Sequence, residues 1–243
     1  MRTLQLARPR DWRLTDTPEA GQPGPGEALV RVRKAGICGT DISGYLGKMP
    51  FFSYPRIPGH ELGVEVLAVG AGVENVKQGD TCSVEPYINC GECFSCRRHR
   101  GNCCENLTVL GVHVDGGLRP RFNVPARKLH PAKGLSFEQL ALVETLAIGC
   151  HAVDRASIQP DEFALVVGTG PIGLSVLEFV RLTGCKFAAL DVNANRLAFC
   201  RDRMGIPETI NATGGPEDIG AIKAAGAGNL PTVVIDATGH PRA

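Results

Sequence analysis

Residues 163–173 read FALVVGTGPIG, an apolar run followed by a glycine-rich turn. The part FALVV is continuously hydrophobic, as expected of a strand that is covered on both faces of a parallel sheet. Three glycines with the spacing G-x-G-x-x-G follow it, at Gly168, Gly170 and Gly173. Because they come directly after a predicted strand and open a predicted helix, they indicate a dinucleotide-binding βαβ unit.

The dinucleotide is predicted to be NAD. The first glycine permits the tight turn, the second lets the backbone approach a diphosphate, and the third lets helix and strand pack closely. Pro171 and Ile172 begin the helix whose positive end attracts the diphosphate. Asp191 ends the next predicted strand, where a carboxylate bonds the ribose hydroxyls of NAD and repels the 2′-phosphate of NADP. For Arg196, a contact with the adenosine and a solvated helix position fit equally well.

The chain changes its pattern near the middle. Up to residue 86, the runs GEALVRVRKAG, HELGVEVLAVG and GDTCSVEP read as strands between turn residues, which is typical of an antiparallel, barrel-like domain. Ser136 and Gln139 form a capping box at the start of an apolar helix. From about Asp161, strands and helices alternate, which predicts a parallel sheet. We therefore predict two domains, residues 1–152 and 153–243.

A segment of closely spaced cysteines predicts a structural zinc site. The spacing Cys-x2-Cys-x2-Cys-x7-Cys lets one loop, about residues 88–106, surround an ion with four sulfurs. Such sites bind zinc with about 10 to 16 kcal/mol of apparent free energy. Because every ligand is a protein thiolate, no chemistry is expected there. The predicted ligands are Cys90, Cys93, Cys96 and Cys104, with Cys103 as a competing ligand that the spacing disfavours.

Bulk composition excludes several classes of partner. Lys and Arg number 26 and Asp and Glu 25, so the net charge of +1 gives no reason to expect nucleic acid. No stretch is long and apolar enough for a membrane span, and residues 1–12 do not form a signal peptide. Clustered thiols without an export signal indicate metal ligands in the reducing cytoplasm. The basic run at residues 97–100 fits a phosphate-binding patch, but a solvated loop face is favoured.

The ordered motifs GICGTD, PGHELGVEV, the four-cysteine lobe, VETLAIGCHAV and VVGTGPIGL resemble the zinc-containing medium-chain alcohol and polyol dehydrogenases. The resemblance implies a fold of the α/β plus β class. It consists of a GroES-like, antiparallel barrel-type catalytic domain, followed by an incomplete Rossmann parallel sheet. By spacing alone, Cys38 and His60 read more readily as unrelated core residues, so the assignment of a reactive site to them depends on the resemblance.

The resemblance also implies roles for individual residues. Cys38 and His60 would hold a catalytic zinc, and Glu61 and Glu144 would supply the remaining carboxylate ligand, directly or through water. Thr40 would accept the proton of the alcohol while hydride passes to the nicotinamide. The family often has a histidine at the position of Ser43, so the last proton step is expected to use Ser43 or water.

The substrate is expected to be a small polyol or sugar acid. Glu144 points to the sorbitol and threonine dehydrogenase branch, and PFFSYPRIPGHE with GVHVDGG is most similar to the L-galactonate 5-dehydrogenase group. His113, just before the DGG turn, is expected to face the substrate. Tyr45, Phe51 and Phe52 are candidate pocket walls, and packing explains each of them at least equally well.

The resemblance implies that the family continues beyond residue 243 and that this chain carries four strands of a Rossmann sheet that has six. The strand at residues 232–236 is therefore expected at an exposed edge. Two interpretations remain, an enzyme of which this is a fragment and a truncated, non-catalytic protein that binds zinc and nucleotide. Homo-oligomers are expected for full-length relatives and remain open for this chain.

Overall fold

The computed structural model describes residues 1–240. The chain divides into two compact units, Met1–Glu144 and Thr145–Ala243. This division falls inside one long helix, and the predicted boundary after residue 152 falls in the same helix, about two turns later. The predicted domain limits of 1–152 and 153–243 stay a prediction, and residues 241–243 lie outside the described residues.

The first unit is built mainly of antiparallel strands. Its strands are β1 (Arg2–Arg8), β2 (Asp11–Asp16), β3 (Glu27–Ala35), β4 (Leu62–Val69), β5 (Thr81–Val84), β6 (Tyr87–Ile88), β7 (Thr108–Val109), β8 (Arg121–Pro125) and β9 (Leu129–Pro131). Its helices are α1 (Gly39–Tyr45), α2 (Phe94–Arg97) and the first part of α3 (Phe137–Ala156).

A five-stranded sheet in the order β8-β3-β4-β5-β9 forms the centre of this unit. The three predicted strand runs correspond to β3, β4 and β5. Alternate residues of β3 and β4 are fully buried, among them Val30 and Val64, because one face of an antiparallel sheet packs on the core. The predicted capping box at the start of α3 is also confirmed, since Ser136 and Gln139 exchange hydrogen bonds of 2.8 and 3.2 Å.

Two short ribbons complete the unit. Strands β1 and β2 pair as an antiparallel hairpin that the sequence reasoning had not assigned. Strands β6 and β7 pair across the four-cysteine segment, with Tyr87 opposite Val109. The second ribbon matters for the site, because it carries the cysteine lobe at one end.

The second unit contains a parallel sheet. Its strands are β10 (Phe163–Val167), β11 (Lys186–Asp191), β12 (Thr209–Asn211) and β13 (Val233–Asp236), and its helices after α3 are α4 (Pro171–Val180), α5 (Ala194–Met204) and α6 (Glu217–Ala225). The order β12-β11-β10-β13 corresponds to the 3-2-1-4 part of a Rossmann sheet. The predicted fold class is therefore confirmed.

Strand β10 shows why its sequence is apolar without interruption. Ala164 and Val166 belong to the hydrophobic cluster on one face of the sheet, and Phe163 and Leu165 belong to the cluster on the other. Both faces of the strand are therefore covered, as the run FALVV predicts.

Strand β13 lies at the end of the described sheet and pairs with β10 alone. Its Val234 side chain is exposed, in agreement with the predicted edge strand at residues 232–236. The sequence reasoning had assigned neither β12 nor α6. Among the described residues, no helix combines the length and apolar character that crossing a membrane requires.

Candidate active site

The reactive group is assembled where β3 and β4 meet. Cys38 follows β3 and caps the N-terminus of α1, and His60 and Glu61 lie immediately before β4. Ala35 pairs with Leu62 in the sheet, so these strand ends are adjacent. One ligand atom from each of Cys38, His60 and Glu61 lies within 4.8 Å of the others. The structure thus brings Cys38 together with His60 and Glu61, whereas spacing alone indicated that Cys38 and His60 were unrelated core residues.

The run HELGVEVLAVG predicts His60 and Glu61 as the first residues of a strand. This prediction is wrong by two residues, because β4 begins at Leu62. Gly59 has φ +100° and turns the chain just before them. The amide of Gly36 donates to the carbonyl of Glu61 at 2.8 Å, which still ties this segment to the end of β3. The turn leaves both side chains close to Cys38.

Gly36 makes room for the Glu61 carboxylate. A Cβ atom at this position would lie 2.0 Å from Oε2 and 2.9 Å from Cβ of Glu61, so the Glu61 side chain would have to move. Gly36, two residues before Cys38, therefore leaves room for Glu61 in the position where it joins the group, a role that sequence reasoning missed.

Glu144 lies outside the three-residue group. It is buried on α3, and its Oε1 atom accepts a hydrogen bond of 2.7 Å from the Tyr87 hydroxyl. Burial raises the pKa of Glu144, although the Tyr87 hydroxyl and His60 oppose this shift. The sequence left open which glutamate completes the ligand set. The geometry favours Glu61 as the carboxylate ligand, and Glu144 lies beside it.

His60 is surrounded by groups that favour a positive charge. Burial opposes its protonation, but the Cys38 sulfur and the carboxylates of Asp41 and Glu144 together raise the pKa of His60 to about 9. The pKa of Tyr87 is raised, first by burial and then by the negative charge of Glu144. The surroundings of His60 are thus rich in groups that carry or can take up a negative charge.

Asp41 is a further functional candidate that sequence reasoning missed. Its side chain is 2% exposed, its Oδ2 atom accepts from the amide of Cys38 at 2.9 Å, and its Oδ1 atom lies 3.8 Å from Nδ1 of His60. A histidine that binds metal commonly has a carboxylate on its other ring nitrogen. The motif GICGTD contained the signal, since Cys38 and Asp41 have the spacing of a helix cap.

This donor set fits zinc. Catalytic zinc sites combine three protein ligands of sulfur, nitrogen and oxygen type, and Cys38, His60 and Glu61 supply one of each. In addition, Nδ1 of His60 and Oδ1 of Asp41 are buried without a hydrogen-bond partner among the described residues. Such a cluster of anions and orphaned polar atoms is stabilised by a cation.

The four-cysteine lobe fits a second zinc ion. One sulfur from each of Cys90, Cys93, Cys96 and Cys104 lies within 4.8 Å of the others. The Cys90 sulfur is 3.9 Å from that of Cys96 and 3.5 Å from that of Cys104. Four sulfurs at about 2.3 Å from a tetrahedral zinc would be about 3.8 Å apart.

Backbone amides favour the thiolate form at two cysteines of the lobe. Hydrogen bonds from the amides of Cys96 and Glu105 lower the pKa of Cys93 to about 6, and hydrogen bonds from backbone amides also lower the pKa of Cys90. At Cys104 the hydrogen bond from the amide of Cys90 is outweighed by burial and by the sulfurs of Cys90 and Cys96, so the pKa of Cys104 is instead raised to about 11.

Cys103 is exposed and lies outside the group, as the spacing favoured. The basic run at 97–100 is exposed, and Arg98 lies over the Phe94 ring.

Helix α1 carries the predicted proton relay. Thr40 and Ser43 are both half-buried, and residues three apart are neighbours on a helix surface. Of the expected pocket residues, Phe52 is buried in a cluster with Leu6 and Val112, so packing accounts for it. Tyr45 stacks on Trp12 in the same unit.

Phe51 and His113 differ from these packed residues. Phe51 is 62% exposed, and its ring lies 5.9 Å from that of His113. The Nδ1 atom of His113 accepts from the amide of Val109 at 3.1 Å, which leaves its Nε2 atom as the donor.

The glycine-rich turn of the second unit has the geometry of a diphosphate cradle. Gly168 has φ +89°, and a Cβ on Gly173 would lie 1.8 Å from the carbonyl oxygen of Gly168. A Cβ on Gly170 would meet nothing closer than Arg196 at 3.9 Å. Open space therefore lies beside Gly170, the N-cap of α4, with Pro171 in the first turn and Ile172 after it. This arrangement fits a bound dinucleotide.

Asp191 is buried at the end of β11 and is held by hydrogen bonds. Its Oδ2 atom accepts from the amide and hydroxyl of Thr169 at 2.6 and 2.7 Å, and Oδ1 accepts from the amide of Asn193 at 2.8 Å. Burial alone would raise its pKa, but these donors outweigh burial and lower it. Arg196 is half-exposed and its guanidinium lies 3.9 Å from the carboxylate.

Comparison with known proteins agrees with this architecture. Residues 24–134 match the family described as "Alcohol dehydrogenase GroES-like domain". The chain is 39% identical over 246 residues to L-galactonate-5-dehydrogenase of Escherichia coli (strain K12), which covers 100% of this chain and 71% of that protein. It is 34% identical over 241 residues to an uncharacterized zinc-type alcohol dehydrogenase-like protein of Haemophilus influenzae, which covers 98% of this chain and 70% of that one.

A solved structure is similar over nearly the whole chain. It is described as short chain alcohol dehydrogenase (rspB) from E. coli CFT073 complexed with cofactor NADH. The TM-score is 0.90 and the identity 31%, and the match covers 99% of this chain and 70% of that one.

A GroES-like unit with a mixed sulfur, nitrogen and oxygen group, followed by a nucleotide-binding sheet, defines an oxidoreductase that oxidises alcohols. The chain belongs to the zinc-containing medium-chain alcohol and polyol dehydrogenase family. Zinc and NAD, the cofactors predicted from the sequence, are those of this family.

Proposed function

We propose that this protein oxidises a secondary alcohol of a polyol or sugar acid to a ketone and passes the hydride to NAD. The observation that carries the proposal is the convergence of Cys38, His60 and Glu61 within 4.8 Å. A mixed ligand set of this kind is typical of a catalytic rather than a structural metal site.

Three side chains would hold the catalytic zinc. Cys38 binds as a thiolate, Glu61 as a carboxylate, and His60 through Nε2, because its Nδ1 atom faces Asp41. Glu144 stands next to this group, where Tyr87 holds it. When bound, zinc supplies Lewis-acid chemistry that lowers the pKa of an alcohol. The second zinc is held by the four-cysteine lobe and has a structural role.

The hydroxyls of α1 move the proton. Thr40 accepts the proton of the substrate alcohol at its Oγ1 atom and donates its own proton onwards. Ser43 lies on the same helix face. Either Ser43 or a water molecule then carries the proton to solvent. For each alcohol oxidised, one hydride reaches NAD and one proton leaves by this route, so the products are ketone, NADH and a proton.

The second unit binds the cofactor. The turn that contains Gly168, Gly170 and Gly173 receives the diphosphate on the N-terminus of α4. Asp191 bonds the adenosine ribose and disfavours the 2′-phosphate of NADP. Arg196 is near enough to Asp191 to neutralise part of its charge.

A sugar acid is the substrate class that we favour. The similarity to L-galactonate-5-dehydrogenase includes the stretch 50–61, which leads into His60, and the loop 111–117 that packs against Gly59. Within that loop, His113 offers a donor nitrogen to a carboxylate or hydroxyl group.

The test is NADH formation, followed by absorbance, with L-galactonate, other sugar acids and polyols as substrates. We expect turnover with NAD, and loss of turnover in Cys38→Ser. The variant Cys103→Ser is the matched control, because its thiol is exposed and outside both metal groups.

Full alcohol oxidation by Cys38→Ser would contradict the zinc mechanism. Bound zinc and nucleotide without NADH formation would favour the non-catalytic interpretation. An Asp191→Ala variant with an unchanged preference for NAD over NADP would contradict the cofactor assignment.

A further inference from the structure

We propose that Tyr87 is a positioning residue that fixes the Glu144 carboxylate beside the group formed by Cys38, His60 and Glu61. The inference deepens the proposed function and rests on it. Nothing in the sequence motifs pointed to Tyr87, which lies three residues before the first cysteine of the lobe.

The contact between the two side chains is specific. The Tyr87 hydroxyl donates to Oε1 of Glu144 at 2.7 Å, and the two residues are 57 positions apart in the sequence. A phenol is protonated at neutral pH and is therefore a donor to a carboxylate. Tyr87 uses one carboxylate oxygen of Glu144, and within residues 1–240 no hydrogen bond to Oε2 is found. That oxygen stays available to the reactive group.

Glu144 has little solvent to hold its carboxylate, because the residue is only 8% exposed. The charges of His60 and Glu61 act on it in opposite directions, so they do not replace the hydrogen bond from Tyr87. A glutamate side chain also has several rotatable bonds, and a hydrogen bond from a rigid ring reduces the number of orientations that it adopts.

Tyr87 is itself held by the cysteine lobe. It begins β6, which pairs with β7, and the carbonyl of Pro86 accepts from the amide of Leu110 at 3.0 Å. Two strands of two residues are not stable as an isolated ribbon. In the loop that joins them, one sulfur from each of the four cysteines lies within 4.8 Å of the others, and the amide of Cys90 donates to the Cys104 sulfur at 3.3 Å. The lobe thus orders the strand that presents Tyr87.

The experiment compares Tyr87→Phe with the unchanged chain, both with cobalt in place of zinc. The difference spectrum between the protein and its Cys38→Ser variant isolates the reactive site from the lobe. We expect Tyr87→Phe to shift the visible d–d bands of that site and to weaken its metal affinity about tenfold in competition with a chelator. Thiolate-to-metal charge transfer from Cys38 should persist.

Tyr54→Phe is the matched control. The Tyr54 hydroxyl donates to the carbonyl of Gly44 at 2.5 Å in the same unit, and so this variant also removes one hydrogen bond. Its spectrum and metal affinity should equal those of the unchanged protein. The cobalt bands of the lobe report in each variant whether that part of the chain is folded.

Glu144→Ala provides a second measurement and does not require Tyr87→Phe to fold. It removes the acceptor and should give the same spectral shift. In the Glu144→Ala background, Tyr87→Phe should have no further effect on metal affinity, because the two changes interrupt one interaction.

Unchanged bands and affinity in Tyr87→Phe would overturn the inference while leaving the proposed function intact. So would an effect of Tyr87→Phe that persists without Glu144. If the unchanged protein binds no cobalt at the Cys38 group, the proposed function fails and the inference fails with it.

Discussion

The Nδ1 atom of His60 lies 3.8 Å from the Oδ1 atom of Asp41, and both atoms are buried without a hydrogen-bond partner among the described residues. The same carboxylate accepts from the amide of Cys38 through its other oxygen. Asp41 therefore touches both of the residues that would bind zinc through sulfur and nitrogen, and it is placed to set their orientation.

Replacing Asp41 should weaken the metal site without removing a ligand. We expect Asp41→Asn to lower the zinc affinity of the reactive group by about 10-fold to 100-fold, the usual effect of losing a carboxylate behind a metal-binding histidine. Competition with a chelator measures this affinity. Asp80→Asn is the matched control, since Asp80 also accepts from an amide three residues earlier, that of Lys77. Equal affinities for the two variants would contradict the role of Asp41.

A methyl group on Gly36 should displace Glu61. The added Cβ would lie 2.0 Å from the Glu61 carboxylate, so we expect Gly36→Ala to lose metal from the reactive group and most of the NADH formation. Gly39→Ala is the control, because a Cβ there meets nothing within 4 Å. Metal content is measured by elemental analysis, and retention of both metals by Gly36→Ala would show that Glu61 is not a ligand.

Alanine substitutions at two glycines of the nucleotide turn should affect different properties, one NADH binding and the other stability. Gly170→Ala adds a methyl group to open space, so we expect the free energy of unfolding to change by no more than about 0.5 kcal/mol. Because the methyl group occupies the space of the diphosphate, we expect NADH binding to weaken. Gly173→Ala would place a Cβ 1.8 Å from the Gly168 carbonyl oxygen, and we expect it to destabilise the second unit directly. Thermal denaturation and NADH fluorescence separate the two effects. Unchanged NADH binding in Gly170→Ala would argue against a diphosphate at this turn.

The buried Asp191 should make the second unit sensitive to acid. Burial raises its pKa, but the donors from Thr169 and Asn193 prevail, so the folded pKa lies below the unfolded value. Its contribution to stability is then complete above a pH of about 4, and it is lost as the pH falls through the folded pKa. We expect Asp191→Asn to be less stable than the unchanged chain at pH 7, and this difference to shrink towards pH 3.

Hydrogen exchange of the β10 and β11 amides, compared between the two proteins at each pH, measures this difference. Asp202→Asn is the control, because its side chain is exposed on α5. A stability difference that stays constant from pH 7 to pH 3 would contradict the account of Asp191.

Local patterns in the sequence determined much of the architecture. The run FALVV and its glycines predicted β10, the following turn and α4, because the spacing of apolar residues and glycines reflects constraints within one segment. The four cysteines were recognisable for the same reason, since their loop closes on itself. The hairpin of β1 and β2 was missed, and so were β12 and α6.

The reactive site was decided by tertiary structure. Cys38 and His60 are distant in sequence, and their proximity follows from the pairing of β3 with β4, which no local pattern specifies. The same holds for the contact between Tyr87 and Glu144 and for the space that Gly36 leaves for Glu61. The sequence by itself determined which chemical groups were present and which segments would fold as strands, helices and turns. Only long-range packing decided which of those groups meet, because contacts between distant segments depend on how whole sheets and helices pack.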